Sequence, residues 1–288
     1  MRDFVIVTDS SADLTEEMSL ELGIRTIQLG VIVEGADPVP NNELDVKDIY
    51  RQLRNKTTIT TSAANIDQFL KEFGGILEKE DVDLLYLGFS SGLSGTYGAS
   101  VVAMNELKEQ YPDRKLYTVD TLCASMGQGL LVYYAAKYKQ SGADIDAVKQ
   151  YAEEMIPQLA HWFTVDDLFF LKRGGRVSAA TAVVGSLLSI KPVLHVDDAG
   201  KLINMAKARG RKAAMDMLFE KAKATMLPNK NDVVFISHGD CIEDANYLAA
   251  RMRNELGVKH VEINFIGSVI GSHAGPGTLA LFFLGNAR

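Results

Sequence analysis

The residues best suited to chemistry fall in a few short runs of serine, threonine, glycine and arginine. Gly88-Phe89-Ser90-Ser91-Gly92 matches the GxSxG pattern of a hydrolase nucleophile elbow. Asp120 with His238 or His273 would supply the acid and the base in the chain order that an α/β-hydrolase uses. An elbow, however, turns at once from strand into helix, and here Leu93-Ser94-Gly95 prolongs the loop. An anion-binding loop is the better reading, with a serine esterase acting through Ser90 as the alternative. Glycines let a backbone approach a ligand closely. The free N–H groups of the helix that follows point at an anion and carry the positive end of its dipole. Helix capping by Ser94 or Thr96 would use the same donors without a ligand.

Three further runs invite comparison. Thr57-Thr58-Ile59-Thr60-Thr61-Ser62 is rich in hydroxyls; it reads first as a plain surface strand with hydroxyl-bonded turns, and second as a source of more donors to the same anion. Arg173-Gly174-Gly175-Arg176 follows Asp166-Asp167. A guanidinium is a planar double donor fit for phosphate or carboxylate, and salt bridges to the two aspartates are an equal alternative. Ser272-His273-Ala274-Gly275-Pro276-Gly277 places a histidine in a glycine-rich loop. The neighbouring Gly275-Pro276-Gly277-Thr278-Leu279-Ala280 mimics a dinucleotide fingerprint but leaves too little chain for a βαβ unit. The five histidines show no HxxxH or HExxH spacing and there is no GxxxxGK[ST], so neither a metal site nor a P-loop is expected.

Composition narrows the classes. The chain has 288 residues, 47% apolar and 23% charged, as expected for one large or two ordinary globular domains. A net charge of −7 argues against a broad nucleic-acid-binding face. Two cysteines, Cys123 and Cys241, are too few for a disulfide framework. The apolar segment Phe4 to Val7 is shorter than a signal peptide requires, and no stretch reaches the ~20 apolar residues of a membrane span. A reducing, cytoplasmic setting is expected.

Periodicity supplies the elements that must position these residues. Phe4–Thr8, Asp83–Phe89 and Lys115–Val119 read as short buried strands. Leu14 to Leu22, Thr96 to Gln110, Gly127–Gln140 and Ile145–Gln158 read as helices between them. This alternation predicts a mainly parallel sheet with helices on both faces. Beyond Gln158 the pattern changes. Trp162–Val165 reads as a strand, Lys191–Ile203 as a hairpin about Asp197-Asp198-Ala199-Gly200, and Arg209–Thr225 as a helix. Asp232–Ser237, Ile242–Leu256 and His260–Phe265 read as strand, helix, strand, with Gly267–Gly285 closing the sheet. The expectation is an α/β chain of two domains. Residues 1–158 form a mainly parallel α/β/α domain, residues 159–288 a mixed-sheet α/β domain, and a ligand crevice lies between them.

Taken in order, the motifs are far more specific than any one alone. Thr8-Asp9-Ser10-Ser11-Ala12-Asp13-Leu14, Thr61-Ser62, Ser90-Ser91-Gly92-Leu93-Ser94-Gly95-Thr96-Tyr97, Asp166-Asp167-Leu168 with Gly174-Gly175-Arg176, Lys191-Pro192-Val193-Leu194 and Gly275-Pro276-Gly277 together resemble the DegV family of bacterial fatty-acid-binding proteins. The resemblance covers essentially the whole chain. It implies one long-chain fatty acid buried between the domains and no other cofactor. It also implies that the chain is not itself an enzyme but the lipid-binding subunit of a fatty acid kinase of phospholipid metabolism. A separate ATP-dependent kinase would then phosphorylate the carboxylate that the chain presents; a fatty-acid-responsive regulatory protein without a kinase is the other reading. By motif, Thr61, Ser62, Ser94, Gly95 and His273 would hold the carboxylate. Arg176, or Arg173, would handle phosphate or the partner. One departure stands out: members usually show T-S-x-P-S, and this chain has Thr61-Ser62-Ala63-Ala64-Asn65.

A sixteen-carbon tail buries ~15 carbons at about 0.8 kcal/mol each, roughly 12 kcal/mol gross, so a dry slot must dominate the affinity. Val183–Ile190, Phe163–Phe170 and Leu279–Leu284 are the candidate tail-lining segments. Thr181–Ile190, apolar and preceded by Lys172, Arg173 and Arg176, also suits a lid in transient contact with an anionic membrane surface.

Overall fold

The computed structural model describes residues 2–177 and 190–288. Its strands, in chain order, are β1 (Phe4–Asp9), β2 (Ile24–Ile27), β3 (Gly30–Val33), β4 (Val39–Pro40), β5 (Ile59–Ser62), β6 (Asp83–Gly88), β7 (Leu116–Asp120), β8 (Leu159–Thr164), β9 (Ile190–Val196), β10 (Leu202–Arg209), β11 (Val233–His238), β12 (His260–Phe265) and β13 (Leu279–Leu284). They make three sheets: a parallel one ordered β2-β1-β6-β7, a six-stranded mixed one ordered β10-β9-β8-β13-β11-β12, and a small antiparallel one ordered β4-β3-β5. The architecture is α/β with two lobes, parallel then mixed. The chain leaves the first lobe through the helix Ile145–Met155 and enters the mixed sheet at Leu159.

The parallel sheet has helices on both faces, and β1 shows why. Its residues are all buried, Phe4 and Ile6 in one core and Val5 and Val7 in another. Alternate side chains leave opposite faces of a strand, so a strand covered on both sides reads as one unbroken apolar run. On one side lie the helices Ile66–Lys79 and Thr96–Gln110. Asn65 starts the first of these, its side chain accepting the Gln68 N–H at 2.8 Å. On the other side, the helix Met126–Gln140 is sandwiched between the two main sheets. Leu130, Leu131, Val132, Ala135 and Ala136 are all buried, as a helix apolar all round must be.

The structure corrects two expectations and details a third. The helix expected from Leu14 begins at Glu16, capped by Thr15, after a short 3-10 turn at Ser10–Ala12. The tail joins the mixed sheet in its interior: β13 is inserted between β8 and β11, antiparallel to both. His273 is not in a loop but in the last turn of a helix, Ser268–Ala274. Among the described residues no helix is long and apolar enough to cross a membrane, and no three His, Cys, Asp or Glu side chains gather as a metal site.

Candidate functional site between the two lobes

A cavity of about 260 Å³ lies between the lobes. One wall is made by the exits of parallel strands: Leu29 beyond β2, Phe89 beyond β6, and Ala124 and Ser125 beyond β7. Open parallel sheets place ligands there, at the carboxyl ends of strands where the strand order reverses. Here the reversal falls between β1 and β6. The opposite wall comes from the mixed sheet, where β8 and β13 pair His161 with Phe282 and Phe163 with Ala280. These four face the cavity, while their alternates Ala160, Trp162, Leu279 and Leu281 pack in the outer core.

Polar groups enter the cavity from three elements. Thr61 and Ser62 come from the end of β5, Ser94 and Gly95 from the loop after β6, and His273 from the helix Ser268–Ala274. Thr61 Oγ1 lies 2.7 Å from His273 Nε2, joining residues far apart in the chain. The Ser62 hydroxyl rests against Gly30 on β3, where no other residue leaves room for it. Ser94 Oγ accepts the Thr96 N–H at 3.2 Å and lies 2.9 Å from Thr96 Oγ1, at the start of the helix Thr96–Gln110. The capping and anion readings of this loop therefore share one hydroxyl. The plain reading of Thr57–Ser62 as surface strand is incomplete, because its last two residues line the cavity.

His273 is neutral at ordinary pH. Burial, then the nearby positive charges of Arg176 and Arg173, push its imidazole down to about 4. Its ring fits because Gly174 has no side chain; a Cβ there would collide with Nδ1. Arg176 also lines the cavity, half-buried, with Nε donating to Leu93 O at 3.2 Å and Nη1 to Gly174 O. Arg173 does not line it. Its guanidinium lies 5.2 Å from the centre of the Phe170 ring, and Nη2 is 3.5 Å from Ser272 O. The alternative of salt bridges within the Asp166–Arg176 segment fails. Asp166 pairs with Lys191 at 2.8 Å, Asp167 caps its own helix, and neither Arg173 nor Arg176 forms an ion pair among the described residues.

The loop is anchored by a buried carboxylate. Asp9, at the end of β1, accepts the Phe89 N–H at 3.0 Å and the Tyr86 hydroxyl at 2.7 Å. Ser90 is anchored too: its hydroxyl is fully buried and donates to Gly200 O at 2.8 Å in the hairpin between β9 and β10. Gly92 permits that docking, since a Cβ would stand 2.5 Å from Ala199 O. Asp120 accepts the Ser91 and Leu122 N–H groups, and His238 accepts the Cys241 N–H. A nucleophile turned into a backbone acceptor, with no imidazole on it, cannot run the esterase mechanism. The alternative built on Ser90 is therefore set aside.

Of the candidate tail-lining segments, Phe163, Ala280 and Phe282 reach the cavity, whereas Phe170 packs against Gly275. Residues 183–189 of the first segment, and 181–189 of the proposed lid, lie outside the described residues. Sequence reasoning missed His161, Ser125, Val196 and Leu202. Only the alternation His161/Phe163 along β8 could have flagged one of them.

The comparisons with known proteins agree with this architecture. The DegV family model, described as a family of uncharacterised proteins, matches residues 3–286. The DegV domain-containing protein CPE0026 of Clostridium perfringens is 47% identical over 290 residues, covering 100% of this chain and 99% of that one. A DegV family protein from Thermus thermophilus, described as fatty-acid binding, superposes with a TM-score of 0.86 at 30% identity, covering 98% of this chain and 99% of its own. DegV from Bacillus subtilis, described as a fatty acid binding protein, gives 0.83 at 27% identity over 98% and 99% of the two chains. With a family match over nearly its full length and a relative at 47% identity, this chain belongs to the DegV family.

Proposed function

We propose that this protein binds one long-chain fatty acid in the inter-lobe cavity and presents its carboxylate to a separate ATP-dependent kinase. The observation that carries the reading is the polarity of the cavity. Thr61, Ser94, His273 and Arg176 line one chamber whose apolar lining includes Phe89, Phe163, Val196, Ala280 and Phe282. A carboxylate with a hydrocarbon tail has the same division. Burying the tail supplies the affinity, and the polar groups prevent an uncompensated buried charge.

Neutral His273 suits this task. With Nε2 protonated it donates to Thr61 Oγ1, which leaves the threonine proton free for a carboxylate oxygen. Ser94, Ser62 and the backbone at Gly95 complete the donor set. Arg176 carries a charge without a carboxylate partner among the described residues, beside the same head group. In the transfer step a carboxylate oxygen attacks the γ-phosphorus of ATP bound to the kinase, the bond to ADP breaks, and an acyl phosphate forms. Arg176 would offset the charge on the transferring phosphoryl group, and Arg173, outside the cavity, would contact the partner. Fatty-acid binding by the Thermus thermophilus and Bacillus subtilis relatives supports the ligand class.

Organic extraction of the purified protein followed by mass spectrometry tests the binding. One fatty acid per chain is expected, and Thr61→Ala with Ser94→Ala should lower its retention about 10- to 100-fold, as for lost hydrogen bonds to a charged group. A protein that carries no fatty acid and takes none up would refute it. Arg176→Ala should spare binding and cut turnover with the kinase; intact turnover would remove Arg176 from the transfer step. A cell in which no kinase acts on the loaded protein would leave the regulatory reading.

A further inference from the structure

A second, larger crevice opens between the lobes on the far side of Asp13, with a volume of about 720 Å³. It is built from the exits of β1 and β2, the turn at Asn41–Asn42, and the segment joining β12 to the helix Ser268–Ala274. Its polar side chains are hydroxyls, amides and carboxylates, set beside Ala12, Leu14, Leu44, Val46 and one aromatic residue, Phe265. Three buried oxygens belonging to its lining have no hydrogen-bond partner: Asp13 Oδ1, Gln28 Oε1 and Asn41 Oδ1. Asp13 is 6% exposed, with its backbone in the left-handed region at φ 52°. Its other oxygen accepts the Ser125 hydroxyl at 2.5 Å, and Ser125 lines the acyl cavity. Asp13 thus lines the crevice and holds a residue of the other cavity's wall.

Unpaired buried acceptors are costly, and three around one opening are rarely left unfilled. What would fill them follows from the lining. It holds no lysine, arginine or histidine, and Glu16 would repel an anion. An ammonium group could only donate, leaving the amide N–H groups of Asn41 and Asn42 unanswered. A hydroxyl group both donates and accepts, as these amides and serines do, and Leu14, Leu44, Val46 and Phe265 supply apolar lining for C–H groups. We infer that this crevice is a second binding site, which takes a small neutral polyhydroxylated molecule.

Saturation-transfer-difference NMR on the full chain tests this with glycerol, sorbitol and glucose, and with ethanolamine and inorganic phosphate as controls. At least one polyol should give transfer. The double variant Gln28→Leu/Asn41→Leu, with unchanged circular dichroism, should weaken it about tenfold, the effect of losing two ordinary hydrogen bonds. In the wild-type protein, amide shifts on adding that polyol should concentrate at Ser10–Leu14 and Asn264–Ser268; this second readout stands even if the variant fails to fold. No transfer from any polyol, transfer undiminished in a folded double variant, shifts confined to other residues, or binding of ethanolamine or phosphate alone would each overturn the inference.

Discussion

Two chambers lie between the same two lobes, and they solve opposite problems. The first cavity is walled by Phe89, Phe163 and Phe282, with hydroxyls, an imidazole and a guanidinium gathered in it. Most of its polar groups are already bonded within the protein, Thr61 to His273 and Ser94 to Thr96; His161 Nε2 is its one lining side-chain atom found buried and unpaired among the described residues. The crevice beyond Asp13 is lined mostly by hydroxyls, amides and carboxylates and leaves three buried oxygens without donors. Apolar burial is non-directional and tolerates any chain that fits, whereas unpaired polar groups ask for partners at fixed positions. The first chamber is built for affinity and the second for recognition.

The sharpest way to break this contrast is to fill the first chamber. Ala280→Trp projects an indole from β13 between the two walls, so retained fatty acid should fall below detection by mass spectrometry. Overpacking costs about 1–3 kcal/mol of stability, and circular dichroism would verify the fold. Fatty acid still bound at the wild-type level would mean that the ligand lies elsewhere.

Asp13 gives a second, smaller effect. Burial pushes the Asp13 carboxyl up from 3.8 to about 7, against the lowering effect of Ser125 and the Gly267 backbone, with Asp9 repelling it from its own lobe. Tyr50 also faces it, and no cation figures among the groups acting on it. Its folded value lies above its unfolded one, so its stabilising contribution is complete below pH 3.8 and is lost as pH rises through 7. The ceiling is roughly 4 kcal/mol, at about 1.36 kcal/mol per pKa unit. Asp13→Asn should therefore gain on the wild type as pH rises from 4 to 8 in denaturant titrations. A constant difference between the two proteins would remove Asp13 from this role.

The smallest effect concerns Ser90. Ser90→Ala should cost about 1 kcal/mol through the lost bond to Gly200 and leave fatty-acid retention unchanged. Neither protein should be labelled by a fluorophosphonate. Labelling at Ser90 would reopen the esterase reading.

The same contrast explains what could be read from the sequence. Continuous apolar runs such as Phe4–Val7 and Asp83–Gly88 announced strands covered on both faces, and the fold class followed. The antiparallel sheet β4-β3-β5 was not legible, because its strands are two to four residues long and paired across distant sequence. The helix carrying His273 looked like a loop because Gly267, Gly271 and Gly275 punctuate it, and glycine is a poor helix former. Packing overrides that propensity: a Cβ on Gly271 would stand 2.5 Å from the Tyr50 hydroxyl. In the first cavity, Thr61, Ser62, Ser94, Gly95, Arg176 and His273 were all named by motif and all line it, while Arg173 does not. His161 and Ser125 carried no motif, and only the pairing of β8 with β13 and the turn after β7 brought them there. The polar crevice was invisible in the sequence, since its residues come from four separate segments with no shared pattern.

The most direct test of the central claim is a crystal structure of the protein loaded with palmitate. The account predicts one acyl chain between β8, β13 and the strand exits of the parallel sheet, its carboxylate within hydrogen-bonding distance of Thr61 and Ser94. A carboxylate among Phe163 and Phe282, or a cavity left empty beside lipid bound elsewhere, would contradict it.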